Sequence, residues 1–170
     1  IKKIFELKNI KKPLEVNDLG FLIGPILNSA GRIGDASKVV ELLTNDNFIL
    51  KEKIIIELLK TNDKRKKIEI DSINELNLNE IKKNQNNVLV INKNILNEGI
   101  IGIIASRLKE YLNKPCIVLT KIGNKYKASA RSTPDFNIGK YIKNAVDNNI
   151  IIKGGGHNLA AGFLINSNNI

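Results

Sequence analysis

The sequence predicts an α/β fold, with the end of one α/β lobe, a long bridging helix and then a small mixed-sheet α/β domain. Three observations lead to this prediction. Glycines and prolines break the first 45 residues into short pieces, none interrupts residues 46–76, and short apolar runs alternate with helical stretches after Asn77. The predicted boundaries are therefore 1–45 for the end of the first lobe, 46–77 for the connecting helix and 78–170 for the second domain.

The first 45 residues are predicted to form a lead-in followed by short helices. Residues 1–16 are rich in lysine and contain Pro13, which indicates a mobile lead-in or the remnant of a strand. Between Asp18 and about Leu43 the pattern is one of short helices, broken at Gly20, Gly24, Pro25, Gly31 and Gly34. Asp35 can cap a helix over residues 36–43.

A single long helix is predicted next. Residues 44–47 are typical of a helix start, and about thirty residues of helix would span about 45 Å. The apolar residues lie at the two ends of this stretch, whereas residues 61–67 include none. A helix with buried ends and a polar middle suits a bridge between two lobes. The alternative is an ordinary helix pair with a loop near Asn62.

The second domain begins with a predicted βαβ unit. Residues 88–91 are a short buried strand, residues 99–112 a helix, and residues 116–120 the next strand. Asn97 or Glu98 can cap the helix. Two strands joined by a helix in this way are expected to pair in parallel.

The remaining elements are predicted to complete a mixed sheet. Gly123 and Asn124 turn the chain into a strand over 125–131, antiparallel to its predecessor. Pro134 and Asp135 end that strand, and Asp135 caps a helix through about Val146. Residues 150–152 lead into a glycine run, and residues 162–165 close the sheet.

Composition points to a polyanionic partner. The chain has 170 residues, a formal net charge of +10 and a pI near 9.7, which favours nucleic acid. Isoleucine, lysine and asparagine are all abundant. Part of the lysine excess therefore reflects a general bias in composition and not the binding of a polyanion. The chain begins with Ile1 rather than Met, so we expect a fragment. No membrane span or signal peptide is expected.

The single cysteine, Cys116, lies in an apolar run. One thiol allows no intrachain disulfide, and the residue is expected to be a small core side chain. This use of cysteine fits a reducing cytoplasm.

The chain's only histidine, His157, follows three glycines, Gly154, Gly155 and Gly156. Glycines let a backbone approach a ligand closely, and their N–H groups can point together at an anion. The imidazole adds one donor or acceptor. The pattern indicates a phosphate or nucleotide contact; the alternative is a tight turn before a helix that the histidine caps.

Arginine is scarce, and three of the four arginines lie beside small residues. Ser129 and Arg131 are two apart on a predicted strand, so both project from one face and form a compact phosphate site; the alternative for Arg131 is a structural salt bridge. Arg32 is expected in a glycine-broken turn that suits a ligand. Arg65 is expected to be solvated, and Arg107 to have a structural or lobe-packing role.

Several kinds of catalytic centre are absent from the sequence. There is no HExxH motif, no Cys/His cluster, no P-loop and no carboxylate pair close enough in sequence to suggest a metal site. These residues therefore predict a ligand-binding half without a catalytic centre.

Four segments, in order, resemble the C-terminal half of the RecJ family of single-strand-specific 5′→3′ DNA exonucleases, in the DHH phosphoesterase superfamily. Residues 24–32 look like the end of the DHH domain, and residues 99–108 look like the first helix of the DHH-associated domain. Residues 129–132 and 154–162 look like that domain's substrate-facing strand and glycine motif. The resemblance covers residues 19–165, most of the chain.

The resemblance implies a two-lobed cytoplasmic enzyme of DNA repair and recombination that acts on single-stranded DNA. It implies two Mn²⁺ or Mg²⁺ ions bound by an N-terminal DHH domain, so no metal ligand is assigned in this chain. We expect a monomer with no membrane partner. A further DNA-binding domain is expected after Ile170.

The resemblance also implies the site residues. Ser129 and Arg131 match positions that hold the 5′-terminal phosphate, and Arg32 matches an arginine facing the same pocket. Asn28 and Ser132 belong to the same motifs. The backbone of Gly154–Gly156 and the His157 imidazole match the motif that lines the cleft.

Two positions depart from the family pattern. Leu96-Asn97 replaces the usual Trp-His, and Ile26 replaces an arginine, which would remove one cation near the groove. Two alternatives remain open: a related phosphoesterase acting on short oligoribonucleotides, nucleotide bisphosphates or cyclic dinucleotides, and a non-catalytic RNA-binding domain like that of alanyl-tRNA synthetases.

Overall fold

The computed structural model describes residues 1–170, which divide into two units, Ile1–Ile68 and Glu69–Ile170. Its helices and strands follow the predicted order. The helices are α1 (Lys2–Leu7), α2 (Val16–Asp18), a π-helical stretch (Leu19–Ile23), α3 (Gly24–Ile33), α4 (Ser37–Thr44), α5 (Phe48–Asn74), α6 (Leu78–Lys83), α7 (Ile101–Leu112), α8 (Ile138–Asp147) and a 3₁₀ turn (Ser167–Asn169). The strands are β1 (Leu89–Asn92), β2 (Cys116–Ile122), β3 (Lys125–Arg131), β4 (Lys153–His157) and β5 (Ala160–Asn166).

The N-terminal residues are part of the core of the first unit. Ile4 and Phe5 of α1 are buried together with Ile23, Ile26 and Ile54. The predicted mobile lead-in or strand remnant is therefore wrong for residues 2–7. The lysines dominate the local composition, but two adjacent apolar side chains are enough to fix a short helix when a hydrophobic surface is available to bury them.

Of the predicted breaks between Asp18 and Leu43, the one at Gly34 ends a helix, whereas those at Gly24, Pro25 and Gly31 do not. Helix α3 runs continuously through Gly24, Pro25 and Gly31 and ends before Gly34. Pro25 is tolerated because it lies in the first turn, where its missing N–H has no intrahelical partner to lose. Arg32 therefore lies in a helix and not in a turn. As predicted, Asp35 supports the start of α4, and hydrogen bonds from the Ser37 hydroxyl and amide lower the pKa of Asp35.

The long helix is confirmed as the single helix α5 of 27 residues. The Asn47 side chain accepts the Leu50 N–H at 3.1 Å and so caps its start. Its polar middle is not uniformly solvated. Arg65 is buried and donates to Asn62 Oδ1 from Nε at 3.3 Å and from Nη2 at 3.2 Å, so the expectation of a solvated Arg65 is wrong. Residues three and four apart share a helix face, and one such face here is polar and buried.

The second unit is built on a five-stranded mixed sheet of order β1-β2-β3-β5-β4. Strands β1 and β2 pair in parallel, and β2 and β3 pair antiparallel, as predicted. Strand β5 pairs antiparallel with both β3 and β4, which leaves β4 at the edge. Gly123 adopts a φ of 57° in the turn between β2 and β3, a left-handed conformation that glycine takes at little cost.

Helices α7 and α8 pack on opposite faces of this sheet. Ala128 and Ala130 of β3 lie in a core with Ile138 and Ile142 of α8. Residues two apart on a strand share a face, so the intervening residues of β3 face the other way, towards α7. Helix α8 is capped by Asn137, whose side chain accepts the Lys140 N–H at 3.1 Å, so the predicted cap at Asp135 is wrong.

Candidate nucleic-acid interface

Three cross-strand rows form the open part of the α7 face of the sheet. The register of β3, β5 and β4 places the residues of each row side by side. Along each strand the rows are two residues apart, about 6.8 Å. The rows are Lys127–Leu164–Lys153, Ser129–Gly162–Gly155 and Arg131–Ala160–His157. The middle positions of two rows are therefore small residues, Gly162 and Ala160, with basic and polar side chains on either side of them.

A groove of about 570 Å³ lies on this part of the sheet, and we call it the sheet groove. Its lining includes Lys127, Lys153, Gly155, Gly162 and Leu164. Glycine at two adjacent floor positions removes side chains that would otherwise fill it. The groove thus offers backbone and basic groups to an extended, anionic ligand.

Arg131 and Ser129 form a compact pair on strand β3. Arg131 Nη1 donates to Ser129 Oγ at 3.1 Å and to the Ala130 carbonyl at 2.8 Å. Both side chains are partly buried. Since Ser129 Oγ accepts in this bond, its own O–H proton can be donated to a ligand. A guanidinium and a hydroxyl held together in this way suit a phosphate group.

Helix α7 supports the pair through a residue that has no side chain. A Cβ placed on Gly102 would lie 3.1 Å from both Arg131 Nη2 and Ser129 Oγ. The glycine therefore leaves the space that the guanidinium occupies. Sequence reasoning did not single out Gly102; a glycine inside a helix, which costs about 1 kcal/mol relative to alanine, is the signal that could have identified it.

The glycine run is the edge strand β4, so the run has neither convergent N–H groups nor a turn before a helix. In an extended strand, successive N–H groups point to opposite sides, so they do not converge on one anion as the nest geometry requires. Nor is the run a turn before a helix, because residues 158 and 159 turn it back into β5.

His157 is exposed at the end of β4, in the same row as Arg131. Its Nδ1 accepts the Leu159 N–H at 3.3 Å. The neutral ring therefore carries its proton on Nε2, which makes Nε2–H a donor. Two strand spacings, about 9.6 Å, separate the His157 and Arg131 positions.

The glycines of β4 differ in what the fold requires of them. A Cβ on Gly156 would lie 2.3 Å from the Ala160 carbonyl oxygen, and one on Gly154 would lie 2.7 Å from Phe163 Cβ. A Cβ on Gly155 would meet no atom within 4 Å. Packing therefore explains two of the three glycines and leaves Gly155 unexplained.

The other candidate residues are not members of the three rows. Asn28 and Arg32 are exposed on α3 in the first unit, four residues apart and so on one helix face. Ser132 is buried, and its hydroxyl donates to the Phe136 carbonyl at 2.6 Å. Ile26 is buried in the core of the first unit, so its side chain faces that core and not a groove.

Two further sequence predictions concern structural residues. Arg107 Nε donates to Glu69 Oε1 at 3.1 Å, which confirms a structural role for this arginine. Cys116 is fully buried in β2, and burial raises the pKa of its thiol to about 11. Cys116 is therefore a small core side chain of the unit that carries the rows, as predicted.

The charged side chains along the rows are mainly basic. Lys127 has a close acidic partner, since its Nζ lies 2.8 Å from Glu98 Oε2. Both side chains are about half exposed, and exposed pairs of this kind contribute at most about 1 kcal/mol. A phosphate can therefore compete for Lys127. Sequence reasoning missed Lys127 and Lys153 because only strand pairing brings them into one row.

No metal site is apparent among the residues of this chain. The structure contains no group of three or more His, Cys, Asp or Glu side chains that could hold an ion. The residues present therefore do not fit a divalent metal. No helix is long and apolar enough to cross a membrane.

A family model described as the DHHA1 domain matches residues 85–170, which include all five strands and the three rows. The chain belongs to the DHHA1 domain family. Within the DHHA1 domain, the candidate phosphate site lies on β3 and the glycine run on β4.

Curated relatives extend the similarity to both units. The single-stranded-DNA-specific exonuclease RecJ of Escherichia coli is 34% identical over 176 residues, covering 96% of this chain and 30% of that protein. The RecJ of Bacillus subtilis is 31% identical over 155 residues, covering 89% of this chain and 20% of that protein. The resemblance to the RecJ family is thus confirmed. The chain spans less than a third of the length of these relatives.

Solved structures show the same fold. RecJ from Thermus thermophilus in complex with Mn²⁺ matches with a TM-score of 0.81 and 22% identity, covering 98% of this chain and 25% of that one. An exonuclease RecJ bound to manganese matches with a TM-score of 0.77 and 24% identity, covering 97% of this chain and 40% of that one. The chain therefore has the fold of the corresponding part of the RecJ structures.

Proposed function

We propose that this chain is the substrate-binding part of a single-strand-specific 5′→3′ DNA exonuclease, and that its sheet groove and the adjoining row hold the 5′ end of the DNA. The observation that carries the proposal is the Arg131–Ser129 pair beside a floor of small residues. The names of the relatives, single-stranded-DNA-specific exonucleases, support the choice of substrate.

The pair suits a terminal phosphate better than an internal one. A terminal phosphate carries up to two negative charges and three exposed oxygens, whereas an internal diester carries one charge. The Arg131 guanidinium can bind two oxygens, and the Ser129 hydroxyl and His157 Nε2–H can donate to others. A strand anchored at its 5′ end would present its phosphodiester bonds at fixed distances from the anchor, which would account for a 5′→3′ direction.

The remaining parts of the proposal concern the whole protein. Structures of the relatives contain Mg²⁺ or Mn²⁺, and we propose that the complete enzyme uses such ions to activate water, held by residues outside this chain. Asn28, Arg32 and Ser132 stay in the proposed set of DNA-binding residues. The proposed domain boundaries stay at 1–45, 46–77 and 78–170. We propose that the complete enzyme is monomeric and acts in the cytoplasm, in DNA repair and recombination.

The anchoring role is tested by replacing the guanidinium. Arg131→Ala is expected to weaken binding of 5′-phosphorylated dT₃ by about 1.5–3 kcal/mol, or about 10- to 150-fold in Kd, because a charge-assisted fork is lost. Binding of 5′-hydroxyl dT₃ should change little. Fluorescence anisotropy with a 3′ label measures both.

Two control variants separate geometry from charge. Arg131→Lys keeps the charge but not the planar fork, so it should recover only part of the affinity. Lys66→Ala removes one positive charge from an exposed site on α5 and should not alter the preference for phosphate. Equal loss for phosphorylated and hydroxyl strands in Arg131→Ala would contradict the anchoring role.

A further inference from the structure

A second groove meets the sheet groove at strand β4. It lies between α8 and β4, encloses about 510 Å³, and we call it the α8–β4 groove. Its lining is contributed by Asn137, Gly139, Lys140 and Lys143 of the α8 region and by residues 154–158. The two grooves share Gly154 and Gly155. The edge strand is therefore all that separates them.

Gly155 is the residue at which an extended chain can cross this edge. Gly154 and Gly156 face α8 and β5 so closely that a Cβ would overlap neighbouring atoms, whereas Gly155 faces open space. Its φ lies outside the left-handed region, so backbone conformation does not demand glycine there either. A side chain at this position would stand beside both grooves, and its absence keeps the passage between them open.

The α8–β4 groove has the charge of a polyanion site. Lys140 and Lys143 are exposed and three residues apart, hence on one side of α8. The N-terminal turn of α8 carries a partial positive charge, and its capping residue, Asn137, belongs to the same lining. No carboxylate lines this groove. The backbones of α8 and β4 also lie close together here, since a Cβ on Gly139 would lie 2.8 Å from the His157 carbonyl oxygen.

On the basis of the proposed function, we propose that a DNA strand anchored by its 5′-phosphate crosses β4 at Gly155 and continues along the α8–β4 groove. Lys140 and Lys143 bind the phosphates of internal nucleotides there. The Arg131–Ser129 pair and the adjacent sheet groove thus recognise the strand end, and the α8–β4 groove adds affinity that depends on strand length and not on the terminal phosphate.

The double variant Lys140→Ala/Lys143→Ala tests the second groove. Binding of 5′-phosphorylated dT₁₂ should weaken about 5- to 30-fold, since two exposed charge contacts are lost. Binding of 5′-phosphorylated dT₃ should stay within about twofold. The slope of log K against log salt for dT₁₂ should fall by about 1.4, as expected for two fewer phosphate contacts on a single strand.

A matched control comes from helix α6. Lys82→Ala/Lys83→Ala removes the same charge from exposed positions of the same unit, and it should leave the salt slope for dT₁₂ unchanged. A second test is Gly155→Leu, which fills the crossing. It should weaken dT₁₂ binding about as much as the lysine variant, while the melting temperature stays that of the unmodified chain.

The results separate the two proposals. An equal loss for dT₃ and dT₁₂ in Lys140→Ala/Lys143→Ala, or the same loss in the α6 control, overturns the second groove. If the unmodified chain binds phosphorylated and hydroxyl dT₃ equally, the proposed end-binding function fails instead. Length-dependent loss confined to the α8 variant would support the groove in either case.

Discussion

At the scale of single residues, the candidate site depends on the glycine at position 102, where any side chain would crowd the phosphate-binding pair. Gly102 on α7 lies against the Arg131 guanidinium, and an added Cβ would come within 3.1 Å of it. A neighbour at that distance must move by a few tenths of an ångström. The guanidinium would then lose its alignment with Ser129.

Gly102→Ala is therefore expected to reduce the preference for 5′-phosphorylated dT₃ about 2- to 12-fold, the equivalent of about 0.5–1.5 kcal/mol for one misaligned hydrogen bond. Helix stability should rise, because alanine is the better helix former by about 1 kcal/mol. Paired anisotropy titrations with phosphorylated and hydroxyl strands measure the preference.

Gly31→Ala is the matched control for this change. Gly31 also lies inside a helix, and its added Cβ would be 3.9 Å from Ala36 Cβ, an ordinary contact. It should gain the same helix propensity without any change in binding. An unchanged phosphate preference in Gly102→Ala would mean that the helix does not position Arg131.

At the scale of elements, the three glycines of β4 make a comparison within one strand. Gly156→Ala is expected to lower the free energy of unfolding by about 1–3 kcal/mol, because its Cβ would overlap the β5 backbone. Gly155→Ala should be close to neutral. Urea denaturation read out by the reactivity of Cys116 measures both, since this buried thiol has a pKa of about 11 and reacts only after the second unit opens.

The outcome decides how β4 should be interpreted. If Gly155→Ala destabilises the unit as much as Gly156→Ala, then packing explains the whole glycine run. The crossing at Gly155 would then have no separate justification. If Gly155→Ala lowers the free energy of unfolding less than Gly156→Ala does, then packing does not account for Gly155, and ligand access does.

Elements with a clear period could be predicted from the sequence. The strands β1, β2 and β3, the helix α7 and the long helix α5 all lie within a few residues of their predicted positions. Each has a pattern that local physics decides, such as alternation, a turn at Gly123 or an uninterrupted helical run. The parallel and antiparallel pairings followed from the connections between them.

Elements fixed by tertiary contacts could not be predicted in this way. Helix α1 exists because Ile4 and Phe5 reach the core of the first unit, which nothing in residues 1–16 reveals. Arg65 is buried although its neighbours in sequence are charged. In the candidate site, Ser129 and Arg131 could be found from strand alternation, but the rows with Lys153 and His157 depend on pairing between β5 and β4.

At the scale of the whole molecule, charge and shape act together. A formal charge of +10 would attract any polyanion, and attraction of that kind fades with salt. The rows and the two grooves add a fixed geometry on one part of the second unit. Recognition of a strand end must come from that geometry, because distributed lysines cannot distinguish a phosphorylated end from a hydroxyl end.

The measurement that tests this most directly is amide chemical-shift mapping of the ¹⁵N-labelled 18.9 kDa chain with phosphorylated and hydroxyl dT₃. We predict that the difference between the two titrations concentrates at Ser129, Arg131 and the floor glycines Gly155 and Gly162. A difference that is absent, or that maps instead to the exposed lysines of α5, would contradict the assignment of the sheet groove as the site that holds the 5′ end.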